Sequence, residues 1–203
     1  MQVKTMPVGP IGTNCYILED EAAKVCAVVD PGGDAEEILK VIGGDGMALT
    51  AILLTHAHYD HTGGVAGLEA AFPDTPVYVH RAETESGQPA LFPPLPAGVL
   101  RFYDDGDRVA VGGLEAAVLH TPGHSKGSVV LQCGDVLFTG DTLFQGSCGR
   151  TDLPGGSYDE IMASLARLAG LEGDYHVCPG HEGLSTLEHE RKSNYYMREA
   201  MGG

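Results

Sequence analysis

Short apolar runs, each closed by turn residues, recur along this chain. They predict strands over about residues 2–8, 14–19 and 25–30 in the first part. A helical period follows from Asp34, a good N-cap residue, to Ile42. The run Ala51-Ile52-Leu53-Leu54 predicts a strand over 50–55, and Val65, Leu68, Glu69, Ala71 and Phe72 place a helix over 63–72. A strand at 77–80 and a brief helix come next. From Ser86 to Gly98 four prolines alternate with Leu91, Phe92 and Leu95, which is neither helix nor regular strand. Such an apolar loop either borders a pocket or packs on a sheet edge. The second half repeats the rhythm, with strands near 100–102, 107–111, 114–119, 127–132 and 135–139, a helix at 158–169, a strand at 175–178 and a last helix over 186–200. Strands first and helix later, twice over, suit an α/β fold with two sheets back to back between helical layers. No linker interrupts the pattern, so a single domain over 1–203 is expected.

Composition narrows the function. The 203 residues carry 43% hydrophobic side chains, enough for a real core without disulfide staples. The formal net charge of −16 repels polyanions and anionic lipid surfaces, so nucleic acid and membranes are excluded as partners. The N-terminus lacks the basic-then-apolar layout of a signal peptide, and no apolar run approaches spanning length, which points to the cytoplasm. Five cysteines without Cys-x-x-Cys pairing read as reduced thiols, with Cys148 in a loop as a pocket-lining or packing residue.

The chemistry lies in the histidines. Thr55-His56-Ala57-His58-Tyr59-Asp60-His61 follows a predicted strand. In extended backbone, side chains at i and i+2 share a direction, so His56, His58 and Asp60 converge on one side of the strand end. His61 faces elsewhere, and the Thr62-Gly63-Gly64 turn lets it serve a second centre. His124 in His120-Thr121-Pro122-Gly123-His124, Asp141 after Phe138-Thr139-Gly140, and His181 after Cys178-Pro179-Gly180 also stand at strand ends. Imidazole and carboxylate suit zinc or iron, with manganese as a third possibility. A solvated polar turn is the bland alternative, and four ligand-type residues within six positions weigh against it. His120 either supports the site or is structural; His80, His176 and His189 carry no ligand signal.

These motifs resemble the metallo-β-lactamase superfamily, and the likeness runs in order through most of the chain. Val8-Gly9-Pro10-Ile11-Gly12-Thr13-Asn14-Cys15-Tyr16, Val29-Asp30-Pro31-Gly32-Gly33, Thr139-Gly140-Asp141-Thr142 and Gly149-Arg150-Thr151-Asp152 look like its glyoxalase II-like, hydroxyacylglutathione hydrolase-like branch. The resemblance implies a four-layer αββα sandwich with two divalent metals at one edge. It assigns His56, His58 and His124 to one metal, Asp60, His61 and His181 to the other, and Asp141 as the bridge. It further implies hydrolysis of a small acyl-thiol such as S-lactoylglutathione by a metal-bridging hydroxide that Asp60 orients. Arg150 would grip a substrate carboxylate, or else pair with Asp152 or Glu182 to fasten its loop. The chain departs from those enzymes at Glu182-Gly183-Leu184, where they place a tyrosine, and about one helix is expected after His181 where they carry a longer helical region. A persulfide dioxygenase-like iron enzyme, a lactonase and a non-catalytic metal-binding protein are the competing readings.

Overall fold

The structure, a computed structural model, describes residues 1–85 and 98–203. The first sheet contains β1 (Gln2–Val8), β2 (Thr13–Asp20), β3 (Val25–Val29), β4 (Ala48–Leu53), β5 (Val77–His80) and β6 (Leu100–Tyr103), hydrogen-bonded in that order. The second contains β7 (Arg108–Val111), β8 (Leu114–His120), β9 (Val129–Cys133), β10 (Val136–Gly140), β13 (His176–Pro179) and β14 (Ser185–Thr186), in the order β14-β13-β10-β9-β8-β7. Between β10 and β13 a small hairpin, β11 (Leu143–Phe144) with β12 (Ser147–Cys148), stands apart. The helices are α1 (Ala35–Gly44), α2 (Tyr59–Thr62), α3 (Val65–Ala71), α4 (Ala82–Glu85), α5 (Tyr158–Ala169), α6 (Leu187–Ser193) and α7 (Tyr195–Ala200). None of them is long and apolar enough to cross a membrane.

Period-two alternation sorts the strands' side chains into layers. Cys15, Ile17, Cys26, Val28 and Ile52 point outward under Ile38 and Ile42 of α1 and Val65 and Leu68 of α3. Their neighbours Tyr16, Leu18, Ala27, Val29 and Leu53 point inward against Val118, Leu131 and Phe138 of the second sheet. On the far side Val130, Leu137 and Val177 meet Leu165, Leu168, Leu187 and Met197 from α5, α6 and α7. Each such side chain removed from water contributes about 1.5–3 kcal/mol. The result is the αββα sandwich that the sequence implied.

Three local expectations need correction. Asp34 precedes α1 in a left-handed conformation (φ 47°) and makes no cap bond there; its carboxylate accepts from Gly9 N at 2.8 Å, tying the β1–β2 turn to the helix. The segment expected to run extended to Asp60 ends instead in the helical turn α2, which stops where Gly64 N donates to Pro31 O (2.7 Å), and α3 then supplies the helix expected over 63–72. The final helix breaks at Asn194 (φ −74°, ψ 119°), whose Oδ1 caps α7 by accepting from Met197 N. Its amide donates to Phe144 O, Ser147 O and Glu190 Oε2. The break therefore fastens the β11–β12 hairpin to the C-terminal helices. The proline-rich loop expected over Ser86–Gly98 lies, but for Gly98, outside the described residues.

Candidate metal centre

Four strand ends deliver the candidate site to one edge of the sandwich. The chain leaving β4 carries His56, His58, Asp60 and His61, and the loop after β8 carries His124. Asp141 directly follows β10, and His181 lies two residues past β13. β10 and β13 run parallel and are stitched at this end by Gly180 N donating to Gly140 O at 2.8 Å. The two sheets are stitched as well, with Asn14 N donating to Gly180 O and Val129 N to Thr55 O, both 2.8 Å.

All seven predicted residues come together, though not as an extended strand end. β4 stops at Leu53, and residues 59–62 form the helical turn α2. Asp60 and His61 therefore share one group with His181, while His56 and His58 share another with His124. A third group joins His56, His61 and Asp141, and within each group the donor atoms lie within 4.8 Å of one another. Asp141 stands between the outer groups: its Oδ1 is 3.3 Å from His61 Nε2, and its Oδ2 is 3.4 Å from His124 Nε2 and 3.6 Å from His181 Nε2.

The outward nitrogens of three histidines are taken, which turns the other nitrogen inward. His61 Nδ1 meets Asp30 Oδ2 at 2.9 Å, His124 Nδ1 meets Arg150 O at 2.8 Å, and His56 Nδ1 meets Thr55 Oγ1 at 3.1 Å. Thr55 in turn is fixed by Asp30, which accepts from its N (2.7 Å) and its Oγ1 (2.6 Å). Facing inward, His56 Nε2, His61 Nε2 and Asp141 Oδ1 are buried without a hydrogen-bond partner. His61 Nε2 and Asp141 Oδ1 are close but not aligned for a hydrogen bond. Three orphaned buried donors of metal-ligand type at one point fit a cation, because unpaired burial is otherwise costly.

Electrostatics agree with that fit. Burial, helped by the neighbouring imidazoles, holds His56 well below the ordinary histidine range, and burial with His124 lowers His58. Both are thus neutral with a lone pair to offer. Burial opposes charge on Asp60 and Asp141, yet both are held below the ordinary carboxylate range, Asp60 by the His181 hydrogen bond and the His61 charge, Asp141 chiefly by His61. His61 is raised despite its burial, by Asp141 and Asp30, and the Asp60 hydrogen bond raises His181. A divalent cation would compete for the place of those protons.

The site opens into a pocket of about 800 Å³ whose lining includes Ile11, Tyr59, Phe144, Cys148, Arg150 and Leu153. Burial pushes the Cys148 thiol up to about 11, so it stays protonated. The Arg150 side chain forms a forked pair with Asp152, 2.7 and 2.6 Å, on the exposed rim. His120 takes the structural role: its Nε2 meets Lys126 O and its ring stacks on His80, centroids 4.1 Å apart. Sequence reasoning passed over the roles of Asp30 and Thr55, and Asp30 had only its place before Pro-Gly-Gly as a signal.

The family model described as Metallo-beta-lactamase superfamily matches residues 8–181. Hydroxyacylglutathione hydrolase GloC of Haemophilus influenzae is 31% identical, covering 97% of this chain and 98% of its own. A crystal structure of the B3 metallo-beta-lactamase BLEG-1 superposes with a TM-score of 0.85 at 36% identity, covering 97% of this chain and 99% of that one. One of TTHA1623 in a di-iron-bound form gives 0.83 at 38% identity, covering 95% and 99%. With the site, the sandwich and the matched span in agreement, the chain belongs to the metallo-beta-lactamase superfamily.

Proposed function

We propose that this protein is a hydrolase with a binuclear metal centre that cleaves a small thioester such as S-lactoylglutathione. The observation that carries the reading is Asp141 standing between a three-histidine group and an Asp60–His61–His181 group. His56, His58 and His124 would hold one divalent ion, Asp60, His61 and His181 the other, and Asp141 both. Zinc is the first candidate, with iron or manganese next. Bound there, such ions supply Lewis acidity toward a carbonyl and acidify water toward hydroxide near neutral pH. The chain's own part is positioning. Ionised Asp60 accepts a hydrogen bond from the attacking water and orients it. The apolar rim at Ile11, Tyr59, Phe144 and Leu153 packs the substrate and excludes bulk water. Cys148, held as a thiol, does not compete as a nucleophile. The GloC relative, named a hydroxyacylglutathione hydrolase, supports the thioester class, and the di-iron form of TTHA1623 supports a two-metal centre.

The test is a metal count per chain together with parallel assays of S-lactoylglutathione, an acyl-homoserine lactone, a glutathione persulfide and a β-lactam. Two metals per chain and preferred thioester cleavage are expected. A one-iron protein oxidising only persulfide, or one preferring the lactone or the β-lactam, would replace the reading.

Arg150 has two separable parts in this scheme. Its carbonyl orients His124, whereas its guanidinium, already paired with Asp152, is offered to a substrate carboxylate at the rim. Arg150→Ala should therefore leave the metal content intact and raise KM for an anionic thioester about two- to fivefold with little change in kcat, as exposed ion pairs are weak. Loss of metal in this variant would assign the side chain a structural duty instead.

A further inference from the structure

Behind the three-histidine group lies a carboxylate that is not one of the seven candidate ligands. Glu83, on α4, is 8% exposed. Its Oε2 accepts from Ala57 N at 2.8 Å, and its Oε1 accepts from Gly127 N at 2.7 Å. Ala57 lies between His56 and His58, and Gly127 lies three residues after His124. One carboxylate thus grips the backbone of both loops whose histidines must meet, one loop from each sheet. The approach is close: a Cβ at Gly127 would fall 2.7 Å from Glu83 Cγ, so the grip requires glycine there. The contact it governs is tight, with His58 Nδ1 and His124 Nε2 only 2.8 Å apart. Asp30, by contrast, spans both groups, holding His61 directly and His56 through Thr55.

We propose that Glu83 is a positioning residue that sets the spacing of His56 and His58 against His124, and so governs metal affinity at that position alone. Asp30, tied to both positions, serves as the contrast, since its loss should disturb the two together. This rests on the two-metal reading above. The physical reason is that a ligand set gains affinity when its loops are held at the bonding distance before the ion arrives, and outer hydrogen bonds do that holding.

The experiment measures Zn²⁺ binding to the full chain by competition with a chromophoric chelator. Glu83→Gln, Asp30→Asn and the reference variant His58→Ala are compared with the parent. Glu83→Gln keeps the shape but turns one acceptor into a donor facing a backbone N–H. It should lower one of the two zinc affinities about 10- to 100-fold, the affinity that His58→Ala also removes. Asp30→Asn should lower both. The Co²⁺ visible spectrum, read on the same proteins, should change at one position only in Glu83→Gln and at both in Asp30→Asn. Unchanged affinities in Glu83→Gln, an equal fall at both positions, or loss of its far-ultraviolet dichroism would overturn the proposal. A parent chain that binds no zinc would instead sink the two-metal reading, and that result precedes any variant.

Discussion

Asp60→Ala is expected to lower kcat/KM toward a small thioester about 100- to 10,000-fold, the range for a positioned acid–base group, while the sandwich stays folded. Asp60 is 9% exposed, and its Oδ2 lies 3.2 Å from His181 Nε2 and 3.4 Å from His61 Nε2. Thr13 Oγ1 donates to the same oxygen at 3.3 Å. Those neighbours hold the carboxylate ionised against the cost of its burial. The substitution removes a candidate ligand and the acceptor that orients the attacking water in one step. Asp60→Asn should lose nearly as much, because the amide keeps the shape and discards the charge. Steady-state kinetics, metal content and melting curves together check this. Turnover within about threefold of the parent would remove Asp60 from the machinery.

Gly180→Ala should approach the effect of deleting a ligand, although glycine offers no side chain to the chemistry. A Cβ built at Gly180 would lie 2.6 Å from His61 Cε1 and 3.2 Å from Gly140 C, and it would press on Asp141 Oδ1. The methyl group therefore lands between two groups that the centre needs side by side. Neither can retreat easily: His61 is held by Asp30, and Asp141 follows a strand whose last residue is bonded to Gly180 itself. A displacement of about 1 Å in a reacting constellation can cost on the order of 100-fold in rate, and that loss is expected here. Metal analysis should show the Asp60–His61–His181 position weakened before the three-histidine one. Full activity in Gly180→Ala would mean that the loop yields, and that this edge is softer than its hydrogen bonds imply.

Much of this molecule was legible in the order of residues. The strands that read as continuous apolar runs, β3 and β4, sit centrally with partners on both sides, where no polar alternation is tolerated. The helix at 158–169 was readable to the residue, since Ser157 caps it by accepting from Glu160 N and Ile161, Leu165 and Leu168 fall on one buried face. Errors gathered where a distant contact outbid a local preference. Asp34 gave its carboxylate to Gly9, across the sheet, in place of its own helix. Asn194 stopped a helix that local propensity would have continued, because its amide has three partners, two of them hairpin carbonyls.

The site divides in the same way. Which seven side chains could serve as donors was written in the sequence, because imidazole and carboxylate at strand ends have few other uses in such density. How they are grouped was legible only through the family resemblance, not from the spacing. Extended backbone would have set Asp60 beside His56 and His58; the turn of helix at Tyr59–Thr62 sends it to His61 and His181 instead. The partners that aim the rings of His61 and His124, namely Asp30 and the Arg150 carbonyl, come from segments far apart in sequence and carry no periodic signal. Residue type and spacing determine what chemistry the chain can perform and which faces it must bury. Only the closed fold decides which nitrogen points inward, because that choice belongs to hydrogen bonds between residues that local sequence never brings together.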